Sequence, residues 1–133
     1  MISIDDPQST NLTLDLLNII IPYCSDSRSD TIVLRRLSEQ LLDIINKTTN
    51  ILMLKLSVQC FIASEKKLHS ENILGIFCTK YLQLLQHEVV RQRVLIVLSV
   101  FFKYCDVSDT QSIRDLFKEK ECPIQISLFN TLL

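Results

Sequence analysis

EVVRQRVLIVLSVFFKYC, residues 88–105, is the longest apolar stretch of this chain, and it is the third showing of a pattern met twice before. Leu14, Leu54 and Val94 lie 40 residues apart, and so do Ile21, Phe61 and Phe101. The segments between keep the same interval. Val33, Leu34, Leu37, Leu41, Leu42, Ile44 and Ile45 are answered by Ile73, Leu74, Phe77, Tyr81, Leu82, Leu84 and Leu85. A period of this size carried on helix-length segments predicts stacked helix pairs. A plain helical bundle would also show amphipathic helices and short turns, but it has no reason to repeat its pattern at a fixed interval.

The totals agree with an all-α reading. The 133 residues are one domain in size, and 47% hydrophobic residues at a net charge of −1 supply an ample core. One glycine and three prolines are too few for the turns of a many-stranded sheet. With 14 basic against 15 acidic side chains there is no global positive field to hold nucleic acid. The first ten residues are polar and acidic, unlike a secretory leader, and the longest unbroken apolar run, Val94–Leu98, is far short of a bilayer span. A four-helix cytokine would need such a leader and long crossover connections.

In chain order, residues 1–10 form a lead-in and 11–133 the helical-repeat domain. Helices are expected at Asn11–Cys24, Thr31–Lys47, Ile51–Ser64, Glu71–Gln86 and Glu88–Cys105, with a last pair from Ser112 that turns at Cys122-Pro123. Asp30, Asn50 and Ser70 are the cap candidates, and Pro22 should bend or end the first helix. That helix is apolar enough to be buried on two sides. Tight joins at Thr48–Asn50 and Gln86–Glu88 alternate with polar loops at Ser25–Asp30, Glu65–Ser70 and Asp106–Gln111, the rhythm of about three stacked antiparallel pairs. Leu17, Ile21, Leu37, Leu41, Phe61, Phe77, Leu84, Leu98 and Phe101 make up the expected core. The C-terminal LFNTLL is apolar where a terminal repeat should turn polar, so the chain is expected to be cut from a longer solenoid or to bury this end.

Glu88, Val90 and Arg91, followed by Val94, Val97, Leu98 and Phe101, resemble the second helix of a HEAT repeat, with Val94 in place of the usual small residue. Asn50 and Ile51 open the equivalent helix of the preceding repeat without a Val-Arg pair, so HEAT and armadillo-like repeats both fit. The resemblance is specific over about ten residues and extends along the chain through its period. It implies an α-solenoid whose second helices line a concave side.

Chemistry-bearing motifs are sparse. The five cysteines, Cys24, Cys60, Cys78, Cys105 and Cys122, form no C-x-x-C pair and read as buried thiols of a reducing compartment. Asn11-Leu-Thr and Asn46-Lys-Thr match the short glycosylation pattern, which arises often by chance. His69 and His87 fall at helix connections with no ligand-spaced partner, and the paired carboxylates Asp5/Asp6 and Asp106/Asp109 sit in polar connectors. No catalytic residue, metal or cofactor is expected. The reading is a non-enzymatic protein–protein interaction scaffold of an intracellular complex, in cytoplasm or nucleus, with a nucleic-acid-binding helical repeat as the rival. Its partner surface is expected at Lys55 and Gln59, and at Gln92, Ser99 and Lys103, which fall on helical faces and suit an acidic helix or peptide. Leu128, Phe129, Leu132 and Leu133 form a second candidate surface.

Overall fold

A computed structural model describes residues 6–69 and 71–104, and in these the chain is all helix, with no strand. The backbone falls into two compact units, Met1–Glu71 and Asn72–Leu133.

The first unit holds α1 (Pro7–Ile20), a 3-10 turn (Ile21–Tyr23), α2 (Arg28–Lys47) and α3 (Ile51–Lys67). Helix α1 starts four residues before the expected Asn11. Pro7 has no amide hydrogen to lose in a first turn, and the Asp6 carboxylate accepts the Ser9 N–H at 3.4 Å. At the other end Pro22 tightens the chain into the 3-10 turn, closed by Cys24 N–H to the Ile21 carbonyl at 3.0 Å.

Helix α2 also starts early, at Arg28 rather than Thr31. Ser27, not Asp30, is the cap: its Oγ accepts the Asp30 N–H at 3.3 Å. The Asp30 carboxylate turns back instead and accepts both the N–H and the Oγ–H of Ser25 at 2.8 Å. These bonds hold Asp30 below its ordinary carboxylate pKa.

The tight join to α3 follows the sequence closely. Asn50 Oδ1 accepts the Met53 N–H at 2.9 Å, and the buried Thr48 hydroxyl takes the Asn50 N–H at 3.2 Å. Helix α3 is the centre of this unit and packs on both α1 and α2. Its buried positions, from Met53, Leu54 and Val58 to Cys60, Phe61 and Ile62, therefore cover more than half its circumference. It runs three residues past Ser64, so Glu65, expected in a loop, is helical and buried. His69 ends the helix in the left-handed conformation at φ 56°, its N–H on the Lys66 carbonyl at 3.2 Å.

In the second unit α4 (Glu71–Leu84) and α5 (Glu88–Tyr104) are joined within three residues. Phe77 meets Tyr81 at a tilt and stacks on Phe101, with ring centroids 4.7 and 6.1 Å apart, and Phe101 meets Phe102 edge-on at 6.0 Å. Arg91 reaches back from α5 and donates through Nε to the Leu85 carbonyl at 3.0 Å, placing a cation on the electronegative end of α4.

Of the expected core, Ile21, Leu41, Phe61, Phe77, Leu98 and Phe101 are buried, while Leu17, Leu37 and Leu84 are half-buried. The outward face of α1 differs from expectation. Leu12, Leu16, Ile19 and Ile20 are exposed, so this helix is buried on one side and remains apolar on the other. The expected last helix pair and its apolar end lie outside the described residues.

Candidate functional site

Helix α1 is seated on α3 by two polar contacts as well as apolar packing. Asn18 Nδ2 donates to the carbonyls of Leu14 at 3.1 Å and of Leu56 at 3.4 Å, and Cys60 Sγ–H donates to Leu14 O at 3.3 Å. Beside this crossing the two helices diverge into an open cleft of about 350 Å³, lined by Gln8, Asn11, Leu12 and Asp15 of α1 and by Leu52 and Leu56 of α3. The lining is mainly apolar, with Asp15 the charged group in it.

The cleft continues onto the outward stripe of α1. Leu12, Leu16 and Ile19 recur at intervals of four and three, which keeps them on one face of α1, and they are 62%, 59% and 62% exposed; Tyr23, in the 3-10 turn that follows, is 86% exposed. Across the cleft Leu52 is 55% exposed. Exposed leucines scattered singly need no explanation; here they form a contiguous apolar stripe beside a cleft.

Among the residues singled out in the sequence, Lys55 is exposed and Gln59 half-exposed on the outer side of α3. No salt bridge to Lys55 or Asp15 forms among the described residues. In the second unit Gln92 and Lys103 are exposed along α5. Ser99 between them is half-buried, its Oγ–H turned inward to the Ile96 carbonyl at 2.8 Å, and the Lys103 ammonium lies 5.5 Å from the centre of the Tyr104 ring. Each set occupies its own unit. Leu128, Phe129 and Leu132 lie outside the described residues. The α1 stripe and the cleft were not among the expected sites, although a helix with one charge in fourteen residues was their visible signal.

Among the described residues no three of His, Cys, Asp and Glu gather where they could hold a metal ion. His69 and His87 are exposed, and His69 Nε2 lies 3.9 Å from Asp26 Oδ1. Cys60 and Cys78 are buried and Cys24 is half-buried. Burial, with the nearby Asp15 charge adding to it, pushes the Cys60 thiol up to about 12.

Glu65 is the buried carboxyl, 4% exposed, and its Oε2 has no hydrogen-bond partner. Burial raises its pKa; the Ser38 hydroxyl and the Arg35 charge oppose the rise without cancelling it. Ser38 stands close enough to favour the anion, yet its Oγ makes no hydrogen bond of proper geometry, so the ionised carboxyl is poorly stabilised. No described helix is long and apolar enough to cross a membrane. Compared with protein-family models, curated proteins and solved structures, the chain matches none.

Proposed function

We propose that this chain is a non-enzymatic protein–protein interaction module of an intracellular multi-protein complex, built as a HEAT/armadillo-like stack of helix pairs. The observation that carries the docking role is the exposed stripe Leu12, Leu16 and Ile19 running beside the α1–α3 cleft. The repeat reading draws support from burial at the 40-residue interval. Leu14, Leu54 and Val94 are all buried, as are Ile21, Phe61 and Phe101, and as are the pairs Leu34/Leu74, Leu41/Tyr81 and Ile45/Leu85. Lys55 in the first unit and Lys103 in the second, both exposed, each offer a charge contact of their own to acidic side chains of a partner.

The test compares proteins retained by the tagged full chain with those retained by a Leu12→Glu/Leu16→Glu variant. Both leucines are exposed, so the melting temperature should stay within about a degree while a defined partner is lost. An unchanged partner set would place the interface elsewhere. Binding of DNA or RNA at about 150 mM salt, with a steep loss on adding more, would favour the nucleic-acid reading instead.

A further inference from the structure

The two walls of the cleft differ in charge. At ~100° per residue, stepping round α3 away from its contacts with α1 at Leu56 and Cys60, the order is Leu56, Leu52, Gln59 and then Lys55. The same step round α1, from Leu14 and Asn18, meets Asn11 and Asp15 before the Leu12 and Ile19 edge. An acid thus stands inside the cleft on the α1 wall, and a base stands beyond the leucines on the α3 wall. Helix α1 carries no basic residue, and neither Asp15 nor Lys55 has a salt-bridge partner among the described residues.

An occupant that covered Asp15 with hydrocarbon alone would strip water from a carboxylate without replacing its hydrogen bonds. A strand would gain little, because the cleft walls are helices whose backbone groups are already bonded and no ladder can form. A volume of about 350 Å³ suits a few anchor side chains.

We propose, resting on the docking role above, that the cleft takes an amphipathic helix of another protein. Its apolar stripe seats on Leu52 and Leu56, a basic side chain on the flank toward α1 reaches Asp15, and an acidic side chain on the opposite flank reaches Lys55. Opposite charges on opposite flanks also fix which way round the helix lies, since the reversed seating sets like charges together.

The probe is a displayed library of helical peptides with a fixed leucine stripe and randomised flanks, selected on the full chain and counter-selected on a Leu12→Glu/Leu52→Glu variant. Enriched peptides should carry bases on one flank and acids on the other. An enriched peptide should bind at least tenfold more tightly than its charge-exchanged twin, and Asp15→Lys/Lys55→Glu should reverse that preference. Both substituted positions are exposed, and circular dichroism melting verifies the fold of each variant. Enrichment without flank bias, or a preference that the double variant leaves unchanged, overturns the charge-read seating and leaves the docking surface standing. No enrichment over the counter-selected variant overturns the cleft as a docking surface altogether.

Discussion

Cys60 Sγ and the Leu14 carbonyl meet at 3.3 Å, which joins the middle of α3 to the middle of α1 across 46 residues of sequence. The same packing takes the thiol out of chemistry, because burial first and the nearby Asp15 charge second disfavour the thiolate. With its pKa near 12, Cys60 should resist iodoacetamide at pH 8 in the native chain, while the half-buried Cys24 is alkylated first. Peptide mapping after a short pulse checks this. Equal labelling of the two would contradict the packing of α1 on α3.

Glu65 makes the first unit sensitive to pH in a stated direction. Its folded pKa is raised, so the folded state holds the proton more tightly than the unfolded chain does. The stabilisation this gives is complete below the unfolded value of 4.5 and is lost as pH climbs through the folded pKa. Glu65→Gln should therefore raise stability at neutral pH by about 1 kcal/mol and flatten the slope of stability above pH 4.5. Urea melts at several pH values read both effects; parallel profiles for the two proteins would clear Glu65 of this role.

Glycine and the left-handed backbone are in the wrong places relative to each other. The single glycine, Gly75, is exposed inside α4, where a Cβ would meet nothing within 4 Å, while His69 holds φ 56° without being glycine. Gly75→Ala should stabilise by about 0.5–1 kcal/mol, and His69→Gly by about 1 kcal/mol. The control His69→Ala should gain nothing, since alanine keeps the Cβ. Thermal midpoints of the three variants measure it, and a stabilised His69→Ala would show that the histidine side chain, not its backbone, is at fault.

Phe101 is 1% exposed and touches Phe77 and Phe102 ring to ring. Phe101→Ala should cost about 3–5 kcal/mol, as other buried aromatics do. Lys55→Glu, at an exposed site on α3, should shift the same denaturation curve by less than about 0.5 kcal/mol.

Elements with one strong local signal were legible in the sequence. Asn50 before an apolar run fixed the start of α3, and Pro22 fixed the end of α1. The start of α2 was not, because Ser27 and Asp30 are both good caps, and the choice depends on Asp30 preferring Ser25 as its partner. Glu65 sits in a polar run that reads as loop, and its burial comes from neighbours far away in sequence. The exposed sides of Lys55 and Gln92 followed from helical periodicity alone. The cleft could not, because it exists only where Asn18 meets Leu56 and Leu14 meets Cys60, and periodicity within one helix says nothing about which neighbour it will have.

Helix α1 has two apolar sides and one charge, so water gives it almost no instruction about which side to turn inward. The tie is broken by polar atoms: rotated half a turn, Asn18 would lose the Leu56 carbonyl and Cys60 would lose the carbonyl of Leu14. Asparagine here acts as a key that admits one rotation of a nearly symmetric rod. A chain with leucine in its place would keep all its hydrocarbon and lose half of that instruction, with the Cys60 contact to the Leu14 carbonyl left to hold the rotation of α1.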